Sequence, residues 1–148
     1  MHAGRNLARR LRPGDIVCLS GELGSGKTTF VKGVARGLGI AGEKVNSPTF
    51  VLLNIYDGRC PLYHFDFYRL ESSAEIQAVG CEEFLYGDGI SLIEWADKMG
   101  TQLPAERLDV FFQHQGHKRR TLEFRSIGRR YGDLVKGFSR SSPDLRLS

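Results

Sequence analysis

DIVCLSGELGSGKTTFVKGVARGL, residues 15–38, is the stretch that decides the fold. Ile16-Val17-Cys18-Leu19 has the length and β-branched content of a buried strand, and it runs directly into Gly21-Glu22-Leu23-Gly24-Ser25-Gly26-Lys27-Thr28. That octet fits the phosphate-binding P-loop pattern. Glycines at 21 and 26 allow dihedrals closed to other residues, so the backbone N–H groups of Glu22, Leu23, Gly24, Ser25 and Gly26 can turn into one concavity that fits a polyphosphate. A helix starting near Lys27 adds the positive end of its dipole, Lys27 reaches the β- and γ-phosphates, and the Thr28 hydroxyl is a ligand for Mg²⁺. Apolar Phe30, Val31, Val34, Ala35 and Leu38 follow at helical spacing, which distinguishes the motif from a bare glycine-rich turn.

Outward from this stretch, a 148-residue chain is expected to form one domain over residues 1–138, with a polar, Pro-containing tail at 139–148 expected to fray. The expected class is a small three-layer α/β fold with a mixed, mainly parallel sheet carrying antiparallel additions. No apolar run approaches the ~18 residues of a membrane span. The opening MHAGRNLARRLRPGD is basic and has no apolar signal core, so a soluble, cytoplasmic protein is expected. Three cysteines, Cys18, Cys60 and Cys81, form neither a disulfide framework nor a zinc-binding spacing. The net charge of +4 is uneven, with Arg5, Arg9, Arg10 and Arg12 early and Lys118, Arg119, Arg120, Arg125, Arg129 and Arg130 late. Such patches suit ATP or RNA, and equally suit solvated faces.

Asn6–Leu11 reads as a short helix ended by Pro13-Gly14. Phe50–Tyr56 and Leu62–Tyr68 read as strands paired antiparallel across Asp57-Gly58. Ser72 and Glu75 form a capping-box pattern opening a helix that continues in pieces to Leu85. Leu108–Phe112 and Thr121–Phe124 read as two further strands joined by the turn Gln115–Lys118, and Tyr131–Val135 as a closing helix.

Hydrolysis requires a carboxylate near the metal and a group that positions water. Glu94 ends the apolar run Ile90-Ser91-Leu92-Ile93, the form of a central strand delivering an acid to its C-terminal edge, for direct or water-mediated Mg²⁺ contact. In His64-Phe65-Asp66-Phe67-Tyr68 the polar residues share one face, which is either the strand's solvent side or a wall of the site. His64 by itself reads as a structural hydrogen-bond partner. Ser47-Pro48-Thr49 is an extended polar loop of the kind that closes over a γ-phosphate. Trp95 either packs in the core or lies at the sheet edge beside the site.

Taken together, GDIVCLSGELGSGKTTFVKGVARGLG, VNSPTF, YHFDFYRL, EIQAVGCEEFL and SLIEWADK resemble the bacterial ATPase family of tRNA N6-threonylcarbamoyladenosine biosynthesis, TsaE/YjeE, across roughly Asn6–Tyr131. The resemblance implies ATP binding with Mg²⁺ and weak hydrolysis by the protein alone. It also implies a supporting role for two paralogous proteins that transfer threonylcarbamoyl to the adenosine 3′ of the tRNA anticodon, with tRNA met through that complex and the isolated protein monomeric. By motif, Lys27 and Thr29 would serve the phosphates, Thr28 and Glu94 the metal, and Asp66 hydrolysis. Ser47, Pro48 and Thr49 would form a switch-like loop, and Trp95 would stand at the site and partner edge. Lys118 and Arg120 would lie where family members approach the nucleotide. The family carries additional N-terminal residues, including a Thr that helps hold the nucleotide, whereas this chain starts shortly before its first helix.

Two other classes fit a P-loop. A small-molecule kinase would need an Arg-rich lid and an acceptor region, for which 148 residues leave little room. An ATP-responsive binding module would change partner affinity without useful hydrolysis.

Overall fold

A computed structural model describes residues 2–21, 26–45, 52–115, 119–139 and 146–147. The helices are α1 (His2–Ala8), α2 (Lys27–Gly37), α3 (Ser73–Val79) and α4 (Arg129–Ser139). The strands are β1 (Ile16–Gly21), β2 (Leu53–Asp57), β3 (Pro61–Asp66), β4 (Ile90–Glu94), β5 (Arg107–Gln115), β6 (Arg119–Ile127) and β7 (Arg146–Leu147). They form one sheet in the order β2-β3-β4-β1-β5-β6-β7. β1 lies between β4 and β5 and is parallel to both, β3 is parallel to β4, and the β2–β3 and β5–β6 pairs are antiparallel.

Ile16–Leu19 of β1 form an unbroken apolar run, as a strand covered on both faces requires. Val17 and Leu19 join a core shared with α1, α2 and α4, while Ile16 and Cys18 enter a second core with Ile76 of α3 and the short helical turns around Cys81 and Met99. This division gives the three layers expected from the sequence. α2 buries Phe30, Val31, Val34, Ala35 and Leu38, the stripe read from its spacing.

Several elements differ from their expected bounds, and in α1, β5, β6 and α4 tertiary packing or strand pairing overrides local preference. α1 starts at His2 and ends at Ala8, earlier than Asn6–Leu11. Its Gly4 lies so close to α2 that a Cβ there would stand 2.3 Å from the Phe30 carbonyl oxygen, and this close approach recruits a residue of poor helix propensity. β5 and β6 continue through polar positions from Arg107↔Ile127 to Gln115↔Arg119, since ladder hydrogen bonds do not depend on side-chain polarity. α4 extends to Ser139 because Phe138 is fully buried, 4.9 Å from the Phe124 ring.

The capping box opens α3 only in part. Ser72 Oγ accepts the Glu75 amide at 3.3 Å, but Glu75 Oε2 takes its hydrogen bond from the Glu71 amide. Near the C-terminus, Arg146 and Leu147 pair parallel with Glu123 and Phe124 of β6. Among the described residues no helix is long and apolar enough to cross a membrane.

Candidate functional site: a phosphate cradle facing two buried acids

β1 ends at Gly21, and α2 begins at Lys27 after Gly26. Both glycines have positive φ, 149° and 100°, the conformational need read from the motif. The Gly26 carbonyl accepts the first helical hydrogen bond, from the Phe30 amide at 2.9 Å, so the amides ahead of it in α2 remain directed out of the helix end. Thr28 is half-buried and Thr29 exposed in this first turn. Glu22, Leu23, Gly24 and Ser25, the switch-like Ser47, Pro48 and Thr49, and Lys118 lie outside the described residues. The backbone of Arg120 pairs with His114, and its side chain is not described.

Lys27 is 5% exposed. Its Nζ donates to the Gly21 carbonyl at 2.7 Å and stands 3.8 Å above the centroid of the Trp95 ring. Burial lowers its pKa below the ordinary 10.5, and the carboxylates of Glu94, Asp66 and Asp97 oppose that shift.

The register brings the acids to the same edge. Glu94 on β4 is paired with Leu19 of β1 on one side and with Asp66 of β3 on the other. Asp66 and Glu94 are each 3% exposed and His64 is fully buried, so the polar face of β3 is a wall of the site and not a solvent side. Asp66 Oδ1 accepts the Tyr68 amide at 2.9 Å, and Glu94 Oε2 lies 2.6 Å from His64 Nε2. His64 is a structural hydrogen-bond partner, as read from the sequence, and the group it meets is Glu94. The alternation of His64 with Asp66, two residues apart on one strand, was the signal that the two share a face.

Tyr68, expected to converge with His64 and Asp66, lies beyond the end of β3 and packs its ring 5.1 Å from Trp95. Trp95 follows Glu94 in a left-handed conformation, φ 59°, with its amide donating to the Leu19 carbonyl at 3.2 Å. That conformation is costly for a large side chain and recurs at functional turns. Trp95 therefore belongs partly to the second core and partly to the edge where Lys27 sits.

Several basic residues have intramolecular duties. Arg130 forks onto both oxygens of buried Asp15, at 3.1 and 2.7 Å, and Arg125 lies 4.9 Å from the Phe111 ring centroid. Cys18, Cys60 and Cys81 are free, and burial pushes the Cys18 thiol up to about 12.

Among the described residues no cluster of three or more His, Cys, Asp or Glu could cage a metal. The oxygen donors at this edge, Thr28 and the buried Glu94, suit Mg²⁺, which keeps waters and binds through one or two carboxylates plus phosphate oxygens. An outward-facing helix N-terminus with a buried lysine suits a phosphate chain.

A parallel β1 that turns through two positive-φ glycines into a helix, with carboxylates on neighbouring strand ends, defines a nucleotide-binding protein of the P-loop α/β class. The family described as "Threonylcarbamoyl adenosine biosynthesis protein TsaE" matches residues 1–122. The chain belongs to this family, and its role lies in tRNA threonylcarbamoyladenosine biosynthesis. It is similar to the tRNA threonylcarbamoyladenosine biosynthesis protein TsaE of Bacillus subtilis, 46% identical over 130 residues, 87% of this chain and 80% of that protein. The protein of the same name from Treponema pallidum is 48% identical over 101 residues, 68% of this chain and 74% of that one. The crystal structure of Bacillus subtilis YdiB superposes with a TM-score of 0.76 at 37% identity, covering 94% of this chain and 86% of that one.

Proposed function

We propose that this chain binds ATP with Mg²⁺ and hydrolyses it to ADP and phosphate, weakly alone and faster within a cytoplasmic assembly that it resets. In this reading the assembly contains two paralogous tRNA-modification proteins, which place threonylcarbamoyl on the adenosine 3′ of the anticodon. The chain would be monomeric by itself and meet tRNA through them. The observation that carries the reading is the pairing of Asp66 with Glu94 in register at the strand edge, beside a buried Lys27 at the start of α2.

Lys27 is held between the Gly21 carbonyl and the Trp95 ring, so its ammonium is ordered before a phosphate arrives. Transfer of that ammonium to β- and γ-phosphate oxygens trades a neutral carbonyl for an anion, a stronger charge-assisted contact. Asp66, with one oxygen tied to the Tyr68 amide, has its carboxylate oriented to accept from an attacking water. Thr28 and Glu94 would hold Mg²⁺, which when bound neutralises charge developing on the phosphates. Thr29, the amides of residues 22–26, Lys118 and Arg120 would complete the nucleotide contacts, Ser47–Thr49 would close over the γ-phosphate, and Trp95 would meet the partners.

ATP turnover measured alone, with the two partner proteins, and with and without tRNA, tests this. Partner-dependent turnover that disappears in Lys27→Ala is the expected result. If Asp66→Ala and Glu94→Ala leave turnover in the assembly unchanged, the roles assigned here are wrong. Tight ATP binding without turnover in any mixture would favour the binding-module reading.

A further inference from the structure

His64 is fully buried, and its ring meets one described polar atom, Glu94 Oε2, at 2.6 Å. Its other nitrogen, Nδ1, has no hydrogen-bond partner among the described residues. A core position filled only for volume is better served by Leu, because a buried polar atom without a partner is costly. The ring therefore needs a compensating role, and its geometry supplies one.

β3 and β4 run parallel with His64 beside Leu92 and Asp66 beside Glu94, so the imidazole reaches diagonally across the ladder to the acid. A carboxylate that serves a cation is ionised and can only accept, so in that role Nε2 is the donor and Oε2 the acceptor of this contact. We infer that His64 is the positioning residue of Glu94: it fixes the carboxylate rotamer by occupying Oε2 and leaves Oε1 to face the cation. This rests on the reading of Glu94 as the acid that serves Mg²⁺. The last torsion of a glutamate is broad and roughly two-fold, so the carboxylate plane needs a partner to fix it. Loss of a partner that orients a metal-binding group typically costs about 10–100-fold in metal affinity or activity.

The test separates metal affinity from nucleotide affinity. ADP binding to the full chain is measured without Mg²⁺ and then across a Mg²⁺ titration, for the unmodified protein and for His64→Leu, His64→Asn, His64→Gln and Glu94→Gln. His64→Gln keeps an N–H donor near the position of ring Nε2, whereas His64→Asn places its donor near Nδ1, away from Glu94. The expected result is a rise of about 10–100-fold in the Mg²⁺ concentration at half effect for His64→Leu and His64→Asn, with Mg²⁺-free ADP affinity unchanged. His64→Gln should fall well short of that range.

Unchanged Mg²⁺ dependence in His64→Leu, with Glu94→Gln weakened, would overturn the inference and leave the Glu94 reading standing. Unchanged Mg²⁺ dependence in Glu94→Gln would remove the Glu94 reading and the positioning role with it. If His64→Leu fails to fold, the contrast between Asn and Gln decides, and equal behaviour of these two overturns the inference.

Discussion

Removing the ring of Trp95 should release Lys27, and the size of that effect follows from the geometry. Lys27 Nζ stands 3.8 Å from the ring centroid, inside the ~6 Å limit of a cation–π contact. Such contacts contribute about 0.5–1 kcal/mol when exposed and about 2 when desolvated, and with Lys27 only 5% exposed the upper part of that range applies. Single variants cannot isolate the pair, because Trp95→Leu also loses packing against Tyr68 and Lys27→Met loses the bond to Gly21. A double-mutant cycle does, read by urea unfolding of the nucleotide-free protein with circular dichroism. The expected coupling between Lys27→Met and Trp95→Leu is about 1–2 kcal/mol, and Trp95→Phe should retain part of it. Because Trp95 is the single tryptophan, its fluorescence should also change when nucleotide draws the ammonium off the ring. A coupling indistinguishable from zero, with no fluorescence response to tightly bound nucleotide, would refute the idea that Trp95 holds Lys27 for the phosphates.

Three other consequences concern charge and packing. Burial holds the folded-state pKa of Lys27 below the unfolded 10.5, so its charged form costs the fold most at pH values below the folded pKa. That cost is relieved as pH rises between the two values; urea unfolding should show a stability slope there that Lys27→Met lacks, and nucleotide affinity should fall over the same interval. Gly4→Ala puts a Cβ 2.3 Å from the Phe30 carbonyl oxygen and 3.0 Å from the Val34 nitrogen, both backbone atoms that cannot step aside. Overpacking of about 1–3 kcal/mol should outweigh a helix-propensity gain of up to about 1, lowering the urea midpoint. Arg130→Ala strips both guanidinium bonds from buried Asp15 and leaves the Arg12 amide as its remaining donor. Since Arg130 is about one-quarter exposed, a loss of about 1–3 kcal/mol is expected, below the cost of breaking a fully buried pair, and Arg130→Lys should recover little because it cannot fork. A denaturation midpoint for Arg130→Ala equal to that of the unmodified protein would contradict this account.

The basic residues show the limit of reading charge from composition. Arg125 and Arg130 belong to the late patch that suits a phosphate-bearing partner, yet one lies against Phe111 and the other ties α4 to Asp15, just ahead of β1. A guanidinium's partner can be more than 100 residues away, and nothing in its neighbours on the chain reveals it.

By itself the sequence determined the strand-loop-helix unit, because the P-loop is a local device: two glycines, a lysine and an apolar stripe act within about two dozen residues. It also determined the β2–β3 hairpin and the start of α3 at Ser72, which are set by turn and cap chemistry. Only the tertiary structure decided that the polar face of β3 looks into the site. Alternation places His64 and Asp66 on one face but cannot say what covers it; the parallel register of β3 with β4 does, by setting Asp66 beside Glu94. That pairing also decided that His64 meets the acid, and the parallel pairing of β4 with β1 decided that Trp95 meets Lys27. These contacts join residues 30 and 68 positions apart, and their energies depend on burial, which arises only when both faces of the sheet are closed by helices.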